Sequence, residues 1–374
     1  MLDADVIIVG GGLAGLVSAI HLSKAGKSVI LIEKDQYPHH KVCGEYISNE
    51  VLPYLRSLGA DPAVLAPTQL TKFEMSTPKS KLIRADLPLG GFGISRFTFD
   101  HFLYEKAKSA GALIVHDTVL DVIYENEIFS VSTTAQNYRS RLVIGAYGKR
   151  STLDVKLDRD FIKEKSAWLA IKAHYQGDFP NDLVALHHFK GGYCGVSKVE
   201  NNMLNVCYLI NYASFKKYKN ITTHREEVLY QNPYLKKVFE NSIPQFETPL
   251  TISQISFDRK ECVKNHILMV GDTAGLIHPL CGNGMGMAIH AAKIASTLVS
   301  SFLEGKIADL EKLEQSYTTA WQDNFKSRLK TGHLLSGLLK KEKFSNFLIN
   351  GIAKFPAILP KIIKHTHGKP IIIS

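Results

Sequence analysis

Asp5-Val-Ile-Ile-Val9 runs without a break into Gly10-Gly11-Gly12-Leu13-Ala14-Gly15, and this stretch decides the fold. Apolar side chains then recur at helical spacing over residues 13 to 25, and Ser28 to Ile32 reads as a second buried strand. The order is a βαβ unit with Gly-x-Gly-x-x-Gly at its first turn, the context in which that pattern has a mechanism. Gly10 permits the tight turn. Gly12 lets the backbone approach a pyrophosphate at the positive end of the helix, and Gly15 lets the helix pack closely on the strand. Glu33, 18 residues after Gly15, closes the second strand, where a carboxylate accepts hydrogen bonds from a dinucleotide's ribose hydroxyls. The motif alone does not separate one dinucleotide from another.

Residues 267 to 287 carry the complementary signal: a short apolar strand, Gly271-Asp272, His278-Pro279, then Gly284-Met285-Gly286 opening a long helical pattern from Ala288 to Leu303. With the N-terminal motif, this segment resembles the para-hydroxybenzoate hydroxylase and geranylgeranyl reductase superfamily of FAD-dependent oxidoreductases. The resemblance implies that Asp272 meets the flavin ribitol and that amides of Asn283, Gly284 and Met285 face the flavin pyrimidine ring. Ile94-Ser95-Arg96, followed by Phe99-Asp100, resembles the family segment that carries an arginine beside the cofactor. Lys41-Val42-Cys43-Gly44-Glu45 resembles the cysteine-glycine segment of the reductases, which lies near the isoalloxazine. The expected cofactor contacts are therefore Gly10, Gly12, Leu13, Ala14, Gly15, Glu33, Lys34, Arg96, Gly271, Asp272, Pro279, Gly284 and Met285. Cys43 and His278 are the candidate catalytic side chains, His278 as a proton donor.

The pattern also departs from both branches. Tyr147 in Ala146-Tyr147-Gly148 stands where the hydroxylases carry an Asp, and the residues after Tyr193 lack the reductases' tryptophan and Phe-Pro. Trp168 and Trp321 are too far apart for the tryptophan-rich halogenase motif. His187 and His188 are neighbours on a strand-like run and face opposite sides, so they cannot share a metal, and no metal site is expected. No Gly-x-Ser-x-Gly or His-Glu-x-x-His occurs.

Length and composition suit a two-domain globular enzyme. The expected fold is α/β: a Rossmann-like FAD-binding domain (1–71, 98–165 and 260–310) interrupted by a mostly antiparallel substrate domain (72–97 and 166–259). C-terminal helices are expected over 311–374. Five cysteines with no Cys-x-x-Cys pair speak against disulfides, and residues 1–24 lack a basic leader, so the expected location is the cytoplasm.

The net charge of +10 is uneven: between Thr331 and Ser374 seven lysines stand against the single acid Glu342. No nucleic-acid motif accompanies them. Phe344, Phe347, Leu348, Ile352 and Phe355 share an amphipathic face, through which the basic tail could meet an anionic membrane. The expected function is FAD-dependent reduction of a C=C bond in a bulky hydrophobic molecule (isoprenoid, lipid or polyketide), with NAD(P)H or ferredoxin as donor. FAD-dependent hydroxylation and non-catalytic prenyl binding are the alternatives; the oligomeric state is not legible.

Overall fold

The structure is a computed structural model that describes residues 2–78, 81–164, 166–218, 220–339 and 358–372. The expected architecture is present, built on two sheets. In the first, β1 (Ala4–Val9) lies between β2 (Val29–Glu33) and β9 (Asn137–Gly145). Outside them pair β6 (Leu113–His116) and the strand Ile267–Met269, and all four of these contacts are parallel. Val6 is in register with Val29 and Leu142. Parallel strands need helices on both faces, so β1 and β2 are apolar without alternation and almost wholly buried. β7 (Val119–Glu125) and β8 (Ile128–Thr133) extend β9 as an antiparallel flap.

The helix Leu13–Lys24 packs on Arg96–Ser109 and on Gly284–Leu303, and the latter packs on Leu310–Leu339. Gly284–Leu303 is, among the described residues, the one helix long and apolar enough to cross a membrane, and half of its apolar window is buried in the core.

Among the described residues the second sheet has nine strands, including β10 (Trp168–Gly177), β11 (Leu183–Phe189), β12 (Gly192–Lys198) and β13 (Leu204–Asn211), which form its antiparallel centre. β4 (Thr68–Ser76) joins β11 in parallel, and β5 (Leu82–Gly93) and β3 (Tyr46–Ser48) complete the edge. A domain limit at residues 71 and 72 therefore falls inside β4, and β3 belongs to the second sheet although it precedes that limit. The register shift between Leu70 and Lys72 explains the difference, since a bulge breaks the alternation by which one continuous strand would be read. Along β10, Ile171, Ala173 and Tyr175 enter the core beneath the sheet. Alternation turns Lys172 and His174, both buried, to the opposite face. That face meets the first domain. The amphipathic segment Phe344–Phe355 lies outside the described residues; beyond it, the helix Ile358–Thr366 covers the same sheet face.

Candidate cofactor and substrate site

The three motif glycines do different work. Gly10 sits at φ +104°, and a Cβ there would lie 2.5 Å from the Ala146 carbonyl oxygen. A Cβ on Gly15 would run into the Gly10 carbonyl. Gly12, by contrast, is extended at φ −79°, and a Cβ there would have only the Arg96 guanidinium nearby, at 3.7 Å. Close packing thus demands Gly10 and Gly15, whereas the space before Gly12 is open. Glu33 accepts from the amides of Gly11 (2.6 Å) and Asp35 (3.0 Å), which ties the end of β2 to the turn; Lys34 beside it is exposed. The Tyr37 hydroxyl donates to the Gly11 carbonyl while its ring stacks on Tyr104 at 4.5 Å. No motif pointed to Tyr37.

The far end of the chain folds onto this turn. Gly271, at φ +61°, brings its Cα so close to Leu13–Lys24 that a Cβ would lie 3.1 Å from that of Ala14. Lys260 spans the loop, donating to the carbonyls of Lys149 (2.8 Å) and Asp272 (2.9 Å), and Thr273 accepts from the Gly148 amide at 2.8 Å. Burial pulls the Lys260 ammonium down to about 8. Arg96 binds Asp100 through two bonds of 2.6 Å, and Lys41 stands 3.3 Å from the same carboxylate. Burial alone would raise Asp100, but these two cations outweigh it and hold the carboxyl below its ordinary range. Arg96 also lies within electrostatic range of Asp272.

Lys41–Glu45 is clamped between the sheets. Glu45 is fully buried at φ +54°, and its carboxylate accepts from Lys172 Nζ (2.5 Å), His174 Nε2 (2.7 Å) and the Arg96 amide (2.8 Å). Burial opposes its ionisation, yet the His174 bond and the Lys172 charge prevail and keep the carboxyl below its ordinary range. Lys172 also reaches the Lys41 carbonyl (3.2 Å), and Asn205 the Cys43 carbonyl (3.3 Å). The loop so held puts Cys43 Sγ 3.6 Å from Met285 Sδ, at the start of Gly284–Leu303. Cys43 therefore lies where both halves of the chain converge.

Beside Gly44 opens a cavity of about 140 Å³. Phe73, Met75 and Leu87 line it from β4 and β5, Val184 to Leu186 from β11, and Pro279 to Gly282 from the loop before the long helix. Among the described residues its titratable lining groups are Tyr46, Cys281 and His367. Burial raises Tyr46, pushes Cys281 up to about 12 and lowers His367, so all three are neutral near pH 7. His278 is not on this wall. Its ring is enclosed by Phe257 (4.5 Å between centroids), Tyr193 (5.7 Å) and Trp168 (6.1 Å), and only its neighbours Pro279 and Leu280 reach the cavity.

Two features show that these residues fit a bound dinucleotide. Arg96–Ser109 is capped by Ser95 and Thr152–Lys156 by a capping box. Leu13–Lys24 and Gly284–Leu303 start with no side-chain cap and no acid in the first turn. Uncapped helix starts leave amide donors and positive potential for an anionic group. One start adjoins the open side of Gly12, and the other adjoins Cys43.

The family model described as an FAD binding domain matches residues 3–320. Digeranylgeranylglycerophospholipid reductase of Methanococcus vannielii is 25% identical over 96% of this chain and 87% of its own length. A flavin-dependent brominase superposes with a TM-score of 0.79 at 20% identity, covering 96% of this chain and 93% of that one. A geranylgeranyl bacteriochlorophyll reductase-like protein of Thermoplasma acidophilum does so at 0.74 and 21%, covering 93% and 90%. Other relatives are named as a tryptophan 2-halogenase and a probable FAD-dependent monooxygenase. At these identities the solved structures speak for the fold alone. With the matched FAD-binding region spanning both ends of the site, the chain belongs to the FAD-dependent oxidoreductases of the para-hydroxybenzoate hydroxylase and geranylgeranyl reductase superfamily.

Proposed function

We propose that this oxidoreductase reduces a carbon-carbon double bond in a bulky hydrophobic molecule of the isoprenoid, lipid or polyketide class, with electrons from NAD(P)H or ferredoxin. The observation that carries the reading is the neutral, mostly apolar cavity that reaches the Cys43–Glu45 loop. A charged or strongly polar substrate would lose its hydration there without finding partners. The reductase relative supports the same class.

FAD, when bound, supplies hydride chemistry. The residues of the chain bind, orient and insulate. Amides at the two helix starts would hold the cofactor's negative charge, Asp272 and Glu33 would orient its sugar hydroxyls, and the Arg96–Asp100–Lys41 cluster fixes the loop carrying Cys43. Cys43, next to the cavity-lining Gly44 and against Met285, shapes the approach to the flavin. Apolar walls exclude water that would intercept the hydride, and Tyr46, which keeps its proton, or a single water completes addition at the adjoining carbon. Tyr46 is placed in this role before His278 because Tyr46 lines the cavity, whereas the His278 ring packs among Phe257, Tyr193 and Trp168.

Holoenzyme reduced with dithionite and incubated without oxygen with geranylgeraniol tests the reading by mass spectrometry. Gain of two hydrogens at a double bond is the expected result. Product that forms only in oxygen and carries its label would replace reduction with hydroxylation.

A further inference from the structure

The cavity is roofed by the C-terminal segment. In Ile358–Thr366, Leu359 and Ile363 are buried, and with Ile362 and Thr366 they line the cavity, while Lys361, Lys364 and His365 are exposed on the opposite face. After the helix the chain is tied to Glu50, a fully buried carboxylate. Glu50 accepts from the Gly368 amide and lies 3.3 Å from Arg328 Nη1, and its carbonyl accepts from the Ile371 amide at 2.8 Å. Asn283, the residue before the helix that starts beside Cys43, donates to the Thr366 carbonyl at 3.1 Å. The roof is therefore latched to the cofactor side of the site.

With the roof in place the cavity volume, about 140 Å³, is below the roughly 300–1,000 Å³ of ordinary small-molecule sites. A bulky hydrophobic ligand has no room while Leu359, Ile362 and Ile363 remain seated. We propose that Ile358–Thr366 is a lid that exchanges cavity for membrane. At an anionic lipid surface its apolar face leaves the sheet and enters the acyl boundary, which opens the cavity toward the bilayer. Lys361 and Lys364, with Lys369 beyond, lie outward in the closed state and pair with anionic headgroups in the open one. From residue 343 onward the sequence carries no acid to oppose that contact. The need for opening rests on the proposed hydrophobic substrate; the exchange itself is measured without turnover.

Amide hydrogen exchange on the full-length holoenzyme, with and without vesicles, tests the lid. Phosphatidylcholine vesicles containing about a third phosphatidylserine should speed exchange at Gly368 and Ile371 on the order of tenfold, by breaking their bonds to Glu50. Amides within Gly284–Leu303 should stay unchanged, and pure phosphatidylcholine should have no effect. The double variant Lys361→Glu, Lys364→Glu should keep its protection in buffer and lose the vesicle response. Unaltered exchange at both amides with anionic vesicles, or a full response in the charge-reversed variant, would overturn the proposal. Failure here leaves the reductase reading intact, and absence of reduction leaves the lid intact.

Discussion

Gly12→Val separates a glycine kept for a ligand from one kept for packing. The backbone at Gly12, φ −79° and ψ −174°, is open to any residue, and its Cβ position meets nothing closer than Arg96 at 3.7 Å. Placing valine before the first helical turn should cost the fold about 1 kcal/mol or less. The same branched side chain fills the open space in front of the Leu13–Lys24 amides. Two charge-assisted hydrogen bonds lost there, at about 1.5–3 kcal/mol each, weaken FAD binding by roughly two to four orders of magnitude. Gly15→Ala is the control, because its Cβ overlaps the Gly10 carbonyl and overpacking should destabilise the fold by about 1–3 kcal/mol. Thermal unfolding of the apoprotein and fluorescence titration with FAD read the two effects separately. A Gly12→Val protein that binds FAD like the wild type would refute the reasoning.

Further expectations concern the rest of the site. Asp272→Ala should weaken FAD by about 1.5–3 kcal/mol through loss of a charge-assisted bond; an unchanged titration would reduce Asp272 to a turn residue. Cys43→Ala should change turnover or product pattern while leaving the FAD content of the purified protein as it was, which absorbance and product analysis decide together. Lys260 has its folded value depressed from 10.5 to about 8, so its contribution to stability is present above pH 10.5 and is lost as pH falls toward 8. Across that window wild type should gain about 3 kcal/mol over Lys260→Met; parallel urea-unfolding curves for the two proteins would contradict it. Burial lowers both His187 and His188 to about 4, so their contribution is present above pH 6.5 and falls away toward pH 4. His188→Phe should shift the acid-unfolding midpoint downward, as followed by circular dichroism.

What the sequence reveals is local. The βαβ turn and the Gly271–Met285 segment each sit in one contiguous stretch whose spacing has a physical reason, so both ends of the site were legible before any coordinates. Glu45 was visible only as part of a resemblance. Its side-chain partners Lys172 and His174 come from β10, more than a hundred residues later. A signal was present nonetheless, because Lys172 and His174 occupy alternate positions of a strand that is apolar from Trp168 to Ile171, the mark of a buried face that meets charge. The surroundings of His278 were hidden for the converse reason. Its place beside Pro279 was plain, but the cage of Trp168, Tyr193 and Phe257 assembles from three distant segments. The tail shows competition between two similar patterns: the aromatic face of residues 344–355 was the more conspicuous, while Leu359, Ile362 and Ile363, equally spaced for a helix, are the residues that close the cavity.

Rapid mixing of reduced holoenzyme with an unsaturated isoprenoid lipid, in the strict absence of oxygen and of any other oxidant, tests the central claim most directly. If the chain delivers hydride to a double bond across the Cys43 end of the cavity, the oxidised flavin absorbance returns in step with saturated product, one flavin reoxidised per double bond reduced. A flavin that stays bleached until oxygen is admitted, with product appearing only then, would contradict the account.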